Sequence, residues 1–294
     1  MNAFRLDPKQ VRRSFDRAAR AGEDAAVLQS EIERRMFERL DYVRLRPARV
    51  LDAGCGAGRG LGLLGGRYPP AGLVGVDFAL ATMCGANRPR SLLERARRLL
   101  GASRSFHVCA DFLSLPLRSG CIDLVWSNLA FAWAEDPLLA LREFHRVLAA
   151  GGLLMFSSYG PDTLKELKAA FSASSAARHV HAFADMHDVG DMLLASGFAE
   201  PVMDMELITM TYPDAGALVR DLKTSGETCA ARDRVKGLFG RGAWQKMLVA
   251  YERERKTGRL PATIEVIYGH AWKGEPRAAA DGSQIVKWET RPPR

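Results

Sequence analysis

The sequence contains no apolar stretch long enough to cross a membrane. A spanning helix needs about 20 consecutive apolar residues, and although 47% of the 294 residues are apolar, charged residues interrupt the long runs. The first residues are charged and do not form the apolar segment of a secretory signal. We therefore expect a cytoplasmic protein that buries one substantial core and has no membrane partner.

Cysteine and histidine are also scarce, at five and six residues respectively. The cysteines are odd in number and lack the short paired spacing of a zinc site, which argues against a disulfide framework and favours free thiols. They are Cys55, Cys84, Cys109, Cys121 and Cys229. The spacing of His179, His181 and His187 fits neither a metal site nor a catalytic pair. We therefore expect no bound metal.

Acidic residues are fewer than basic ones. The chain has 34 aspartates and glutamates and 42 lysines and arginines, which gives a net charge of +8. Such a surplus attracts an acidic partner, which could be nucleic acid, an anionic membrane surface or an acidic protein. Six arginines and a single glutamate stand in the stretch from Arg88 to Arg104. A stretch of this kind is usually a solvated helix face, and the alternative interpretation is a docking surface for an acidic protein.

Short apolar runs alternate with helical patterns through the first half of the chain. The runs lie at 48–51, 72–77, 106–110, 121–128 and 153–158. Because each helical crossover returns the chain in the same direction, they predict a largely parallel sheet with helices on both faces, an α/β fold. Two later runs, 203–212 and 262–272, predict seven strands in all, the last one antiparallel to its neighbour.

The same patterns divide the chain into four parts. Helical periodicity in 1–45 predicts an N-terminal helical lid, and 46–160 forms the α/β core. Residues 161–273 complete the sheet and add a helical cap, whereas the tail 274–294 has little to bury and is expected to be disordered. Helices of this second half are expected at 161–172, 186–195 and 214–251.

A glycine-rich turn follows the first predicted strand. Gly54, Gly56 and Gly58 permit positive φ and let a ligand approach the backbone without side-chain collision. A helical pattern begins just beyond, and its free N–H groups favour an anionic or zwitterionic ligand. The spacing Asp-x-Gly-x-Gly-x-Gly, which starts at Asp52, differs from the Gly-x-Gly-x-x-Gly of dinucleotide sites. The turn is therefore predicted to bind another kind of small charged ligand.

Polar side chains end four of the predicted strands. They are Asp52, Asp77, Asp111 and Asn128. In an open parallel sheet these ends meet at one edge, where ligands bind. At one of them, Asp111 and Phe112 offer what an adenine needs, a hydrogen-bond acceptor and a flat stacking surface. The four ends therefore predict one shared binding site.

Asp52, Gly54 and Gly56, followed by Asp77, resemble motif I and the next strand end of class I S-adenosylmethionine-dependent methyltransferases. The resemblance implies the Rossmann-like fold of that class, with S-adenosylmethionine as co-substrate. It also implies that Asp52 and the glycine backbone meet the amino-acid part of that molecule, and that Asp77 holds its ribose hydroxyls. The residues predicted to bind it are Asp52, Gly54, Cys55, Gly56, Asp77, Phe78, Asp111, Phe112, Asn128 and Leu129.

Further segments narrow the resemblance to the malonyl-[acyl-carrier protein] O-methyltransferases of biotin synthesis. They are Phe15–Ala19, Val50–Gly56, Asp111–Pro116, Asp123–Ala130 and Trp133. The family methylates the free carboxylate of a malonyl thioester on acyl carrier protein, an acidic partner that the positive charge of this chain would suit. One departure is Gly22, where the family commonly carries a tyrosine near the active site.

The chemistry of such a transfer depends on alignment. A methyl group on a sulfonium is already activated, and a carboxylate acceptor is ionised at neutral pH without a general base, which suits a sequence in which we find no convincing base. A carboxylate does require a cation, and arginine offers two-pronged pairing. The candidates, which the sequence does not rank, are Arg142, Arg220, Lys223 and Arg232.

Two other functions remain open at this point. Gly160–Leu164, Tyr212–Pro213 and Pro261–Ile264, with Trp272, also resemble the methyltransferase-like assembly factor of respiratory complex I, which keeps the fold but acts as a hydroxylase and assembly partner. A nucleic-acid methyltransferase has only the positive charge in its favour, because neither an Asn-Pro-Pro-Tyr-type loop nor an RNA-binding module is found. We therefore expect no nucleic-acid partner.

Overall fold

The computed structural model describes residues 6–19, 27–82, 105–237 and 239–274. Four features of the sequence analysis lie outside these residues: Gly22, Cys84, the arginine-rich stretch from Arg88 to Arg104, and the tail beyond residue 274. The described residues contain the glycine turn and every other predicted site residue.

The described chain contains seven strands and eight α-helices. The strands are β1 (Arg49–Ala53), β2 (Gly72–Asp77), β3 (Ser105–Cys109), β4 (Ile122–Ser127), β5 (Leu148–Tyr159), β6 (Phe198–Tyr212) and β7 (Leu260–Lys273). The α-helices are α1 (Pro8–Ala18), α2 (Val27–Arg39), α3 (Arg59–Arg67), α4 (Pro137–Val147), α5 (Lys165–Ser172), α6 (Met186–Ala195), α7 (Ala215–Thr224) and α8 (Arg241–Glu252). Short 3-10 helices lie at Leu40–Tyr42 and Ala130–Trp133. Within the described ranges, no helix combines the length and the apolar character that a membrane crossing demands.

The strands form one seven-stranded sheet in the order β3-β2-β1-β4-β5-β7-β6. Strands β1 to β5 pair in parallel, whereas β7 runs antiparallel to both β5 and β6. This arrangement confirms the predicted α/β fold. The chain runs from β1 to β2 on one side and reaches β4 on the other, so a crevice opens at the carboxyl ends of these strands. Asp52 is in register with Gly75 of β2 and Trp126 of β4, which places it at that edge.

Apolar side chains cover both faces of the sheet. Because side chains alternate along a strand, Trp126 of β4 joins one apolar cluster and Val125 joins the other. Ile32 and Met36 of α2 pack in the cluster of Trp126, and both are fully buried. Helix α2 is therefore held on that face of the sheet.

Two helices differ from the sequence prediction. The helix expected at 214–251 is divided into α7 and α8, because Gly226 takes the left-handed φ of 83° and ends α7. The helix expected from residue 161 begins only at Lys165, because Leu164 is also left-handed and the Gly160 amide donates to the Glu265 carbonyl of β7. The segment 225–237, which is not helical, forms a wall of the site described next.

Candidate functional site

A cavity of about 570 Å³, here called the strand-end cavity, lies at the carboxyl ends of β1, β2 and β4. Its walls include the glycine turn and residues of α1 and α2. Its volume falls in the range of roughly 300–1,000 Å³ that is usual for small-molecule sites. Nine of the ten residues predicted to bind the cofactor line it: Asp52, Gly54, Cys55, Gly56, Asp77, Phe78, Phe112, Asn128 and Leu129.

The glycine turn forms one side of this cavity. Gly54 and Gly56 have φ values of 81° and 52°, which residues with a Cβ rarely adopt. A Cβ at Gly54 would also overlap with the methyl group of Ala130. The Gly54 amide donates to the Val76 carbonyl at 2.7 Å, which ties the turn to β2. Cys55 remains a thiol at neutral pH, because burial raises its pKa.

Asp77, the last residue of β2, has its carboxylate held by two backbone amides. Oδ2 accepts from the Gly56 amide at 3.0 Å, and Oδ1 accepts from the Ala79 amide at 2.8 Å. Burial raises the pKa of Asp77, and these two hydrogen bonds oppose the increase. The carboxylate is therefore fixed in the cavity wall, where its remaining lone pairs can accept from hydroxyl groups of a ligand.

A second acid, which sequence reasoning missed, lies beside Asp52. Glu33 of α2 is only 5% exposed, and Arg59 Nε lies 3.0 Å from its Oε2. A Cβ added at Gly60 would be 2.7 Å from Asp52 Oδ2 and from Glu33 Oε1, so the two carboxylates converge there. Burial and the neighbouring charge of Glu33 raise the pKa of Asp52, and burial raises the pKa of Glu33 to about 7 despite Arg59. A cationic group of a ligand would stabilise both ionised acids.

Asp111 and Phe112, predicted together as an adenine site, are placed differently. Phe112 is 5% exposed, lines the strand-end cavity and packs against Phe144 with ring centroids 5.8 Å apart. Asp111 is exposed and is not among the lining residues, and its Oδ1 accepts from the Leu113 amide at 2.9 Å. The structure therefore brings the apolar member of the pair to the cavity and leaves the carboxylate outside its wall.

Asn128 and Leu129 connect the end of β4 to neighbouring elements. Asn128 Nδ2 donates to the Gln29 carbonyl of α2 at 3.1 Å, and its Oδ1 accepts from the Ser157 hydroxyl of β5 at 2.8 Å. The Leu129 amide donates to the same Ser157 oxygen at 2.9 Å. Both residues line the cavity. The Asn128 side chain therefore links α2 to β5 across the end of β4.

Helix α1 borders the same cavity through Phe15, which sequence reasoning placed in a lid. The Phe15 ring meets Trp133 edge-on at 5.3 Å between centroids. Asp16 Oδ1 accepts from the Ala81 amide at 3.2 Å, and the Ser14 hydroxyl lies 2.8 Å from the Thr228 hydroxyl. These contacts connect α1 both to the residues that follow β2 and to the segment 225–237.

A second cavity of about 340 Å³, here called the cap cavity, adjoins the first. Phe171 and Phe183 are among its mostly apolar lining residues. Trp133 and Glu227 line both cavities. The Tyr159 hydroxyl donates to Glu227 Oε1 at 2.6 Å, and burial raises the pKa of Glu227. The strand-end cavity, whose wall carries the acids, and the mostly apolar cap cavity thus meet at one boundary.

Comparison with known proteins identifies the family. The methyltransferase domain model matches residues 51–156. A malonyl-[acyl-carrier protein] O-methyltransferase of Laribacter hongkongensis is 51% identical over 294 residues, and the match covers 99% of both chains. Another, of Gallionella capsiferriformans, is 48% identical over 287 residues and covers 98% of both chains. The chain belongs to this family.

Solved structures of other proteins share the fold of this chain. The YcgJ protein of Bacillus subtilis has a TM-score of 0.57 at 15% identity and covers 84% of this chain and 100% of its own. The [4+2]-cyclase SpnF has a TM-score of 0.51 at 18% identity and covers 83% of this chain and 82% of its own. These likenesses show the fold alone, and a cyclase among them shows that the fold does not determine the reaction.

The four cations predicted to pair with a substrate carboxylate lie in different places in this family member. Lys223 lines the cap cavity, whereas Arg220 lines a different cavity. Arg232 is exposed and forms an ion pair with Glu135. Arg142 is exposed on α4. Of the four, Lys223 is the one among the lining residues of the cap cavity.

Of the three neighbouring histidines, His179 and His181 line the cap cavity and His187 does not. His187 is exposed on α6, whereas His179 stacks on Phe171 with ring centroids 4.2 Å apart. His181 lies in the wall of the cap cavity, with its ring centroid 4.7 Å from that of Trp133. In the part of the chain that the structure describes, no group of three or more His, Cys, Asp or Glu side chains is placed to hold a metal ion.

Proposed function

We propose that this protein transfers a methyl group from S-adenosylmethionine to the free carboxylate of a malonyl thioester on acyl carrier protein. The observation that carries the proposal is the pair of adjoining cavities, one edged by strand-end acids and the other mostly apolar, which meet at Trp133 and Glu227. The names of relatives that match nearly the whole chain support the choice of acceptor.

The residues of the strand-end cavity suit S-adenosylmethionine. The converging carboxylates of Asp52 and Glu33 complement an ammonium group. The fixed carboxylate of Asp77 complements the ribose hydroxyls, and the buried ring of Phe112 offers an apolar surface to the adenine. The positive φ of Gly54 lets the ligand come close to the backbone. Contact with Asp111, which lies outside the cavity wall, stays a prediction.

The transfer requires little acid–base chemistry from the protein. When bound, S-adenosylmethionine supplies a methyl group already activated by its sulfonium. A carboxylate oxygen of the malonyl group forms the new C–O bond as the C–S bond breaks, which leaves a methyl ester and S-adenosylhomocysteine. Because this oxygen is already ionised at neutral pH, the protein mainly has to hold both reactants in line and exclude water. The apolar cap cavity serves this purpose, and Lys223 is a cation on its wall.

An acidic carrier protein is a suitable partner for a chain with a net charge of +8. We place the reaction in the cytoplasm, with neither a nucleic acid nor a membrane as partner. The arginine-rich stretch from Arg88 to Arg104 is a candidate docking surface for the carrier protein, and the alternative interpretation is a solvated helix face. The cap cavity is large enough for an acyl group but not for a protein, so the carrier must stay outside and deliver its thioester arm.

The decisive experiment is incubation of the purified protein with malonyl carrier protein and S-adenosylmethionine, followed by mass analysis of the carrier. We expect a mass gain of one methyl group that does not occur when S-adenosylmethionine is omitted. Acetyl carrier protein, which lacks the free carboxylate, is the matched control and should not change. The gene should also restore growth of a biotin auxotroph that lacks the methylating step.

The alternative function, assembly of respiratory complex I, is not favoured by the names of the relatives. Two results together would reverse this choice. They are an unchanged mass of malonyl carrier protein in the presence of S-adenosylmethionine, and loss of complex I assembly when the gene is deleted. A mass gain on acetyl carrier protein as well would show that the free carboxylate is not the acceptor.

A further inference from the structure

The cap cavity contains a buried imidazole nitrogen whose hydrogen-bonding capacity is unused. His181 is 4% exposed and lines the cavity, and its Nδ1 is buried without a partner among the described residues. Two hydroxyls of this wall are paired: that of Tyr159 donates to Glu227, and that of Thr163 donates to the Glu265 carbonyl at 3.1 Å. His179 Nε2 is also buried without a partner among the described residues, but that ring is stacked on Phe171. Because an unpaired buried polar group is costly, the nitrogen of His181 requires an explanation.

The other ring nitrogen determines which atom carries the proton. The buried Ala230 amide donates to His181 Nε2 at 3.1 Å, and a backbone amide can only donate, so Nε2 must offer its lone pair. Burial lowers the pKa of His181 to about 4, so the ring is neutral at physiological pH and carries its proton on Nδ1. The Thr228 carbonyl lies 3.2 Å from Nε2, but the tautomer that donates to it would leave the Ala230 amide without this acceptor.

We propose that the Nδ1–H of His181 binds the acceptor substrate by donating a hydrogen bond to an oxygen of the acyl group that enters the cap cavity. The inference rests on the proposed function, because it takes the occupant of this cavity to be a malonyl thioester. Both ends of a malonyl unit present such oxygens, a carboxylate and a thioester carbonyl. In an apolar cavity that excludes water, one fixed neutral donor contributes strongly to orientation.

The surroundings of His181 support a role at the boundary between the cavities. Its ring meets Trp133 edge-on, and Trp133 also lines the strand-end cavity. Phe183 packs against the same imidazole, with 5.6 Å between ring centroids. With two aromatic neighbours and the Ala230 amide to hold it, the imidazole has little freedom to turn. An oxygen bound at Nδ1 would therefore be held in one place close to the methyl donor.

Two substitutions separate this role from packing. In His181→Asn the side-chain amide can place an N–H near the position of Nδ1, whereas in His181→Gln the amide reaches the position of Nε2 and can accept from Ala230. We expect His181→Gln to lower kcat/KM for malonyl carrier protein by roughly 10- to 100-fold, mainly through KM, and His181→Asn to lose clearly less. Affinity for S-adenosylmethionine, measured by calorimetry, should be unchanged in both, as should the activity of the exposed control His187→Gln.

The opposite order would overturn the inference. If His181→Gln were active and His181→Asn impaired, the contact with Ala230 would be the important one and the role would be structural. Equal loss in both variants, together with a lower melting temperature, would lead to the same conclusion.

The tautomer can be measured without catalysis. Nitrogen-15 NMR of histidine-labelled protein should show the proton of His181 on Nδ1, and its resonance should shift when malonyl-pantetheine is added with S-adenosylhomocysteine. A proton on Nε2, or no shift at saturating malonyl-pantetheine, would refute the inference. If the wild-type protein did not methylate malonyl carrier protein, the proposed function would fail, whereas the NMR result would still decide whether His181 donates to an acyl ligand.

Discussion

Ionisation of Glu33 opposes folding, because a buried carboxylate is more stable in its protonated form. Its pKa is raised from 4.5 to about 7 by burial, although Arg59 pairs with it. The folded chain therefore binds this proton more tightly than the unfolded chain does. The resulting stability is fully present below the unfolded pKa of 4.5 and is lost as pH rises through about 7. A shift of this size corresponds to about 3 kcal/mol of unfolding free energy.

We expect Glu33→Gln to reduce the loss of stability with rising pH. Chemical denaturation of the ligand-free protein between about pH 5 and about pH 8 should show a shallower decrease in the variant. The control is Glu31→Gln on the same helix, because hydrogen bonds from Arg34 and Arg35 lower the pKa of Glu31 to about 2 and keep it ionised throughout this range. Parallel curves for wild type and Glu33→Gln would show that Glu33 is ionised at neutral pH.

The sequence predicted the acids of the strand ends but neither Glu33 nor His181. Asp52 and Asp77 follow apolar runs, and parallel strands bring such residues to one edge whatever the details of packing. Glu33 lies on a helix with many charged residues. The one feature of the sequence that could have indicated its burial is its position beside the buried Ile32. The site of His181 depends on which loop closes the cap cavity. That packing has no local signature in the sequence.

Gly226 fixes how the segment after α7 meets α1. Its φ of 83° is left-handed, and an added Cβ would lie 3.0 Å from Phe15 Cδ1 and 3.1 Å from Ala18 Cβ. We expect Gly226→Ala to lose roughly 1–2 kcal/mol from the backbone conformation alone and a further amount from the contact with α1. Because Phe15 lines the strand-end cavity, affinity for S-adenosylmethionine should fall as well.

The matched control for this prediction is Gly258→Ala. Gly258 has a φ of 80°, but an added Cβ would meet nothing within 4 Å, so this variant measures the backbone cost by itself. Urea denaturation gives the free energy of unfolding of each variant, and calorimetry gives the cofactor affinity. If Gly226→Ala and Gly258→Ala lost the same free energy of unfolding and both kept their affinity for S-adenosylmethionine, α1 would accommodate the added Cβ without loss of stability. Its contact with Gly226 would then not shape the cavity.

Sequence patterns located the elements of the core better than those of the cap. The strands of the core are short apolar runs that alternate with helical patterns, and their order of connection left few possible topologies. In the cap, the composition of 214–251 favours a helix, but Gly226 divides it. The resulting segment carries Glu227 and the Ala230 amide to the cavities, so the part that was predicted wrongly is also part of the site.

At the scale of the whole molecule, the surplus of basic residues should act on the carrier protein more than on the acyl group. A net charge of +8 attracts an acidic protein over distances comparable to the screening length, which is about 10 Å at 0.1 M salt. The acyl oxygens act over a hydrogen-bond length inside an apolar cavity and are screened much less. The two substrate parts should therefore respond differently to salt.

We expect the KM for malonyl carrier protein to rise by roughly 10-fold when salt is increased from about 0.05 M to about 0.5 M, and the KM for malonyl-pantetheine to change by less than about twofold. Initial rates with the two substrates give the comparison, with kcat as a check on protein integrity. If the arginine-rich stretch is the docking surface, Arg97→Glu should imitate high salt for the carrier substrate only. Lys246→Glu, an equal charge reversal on the exposed side of α8, should have a smaller effect. Equal responses of both substrates to salt would instead mean that the charge of the chain acts on the malonyl carboxylate, and that the carrier contributes no electrostatic recognition of its own.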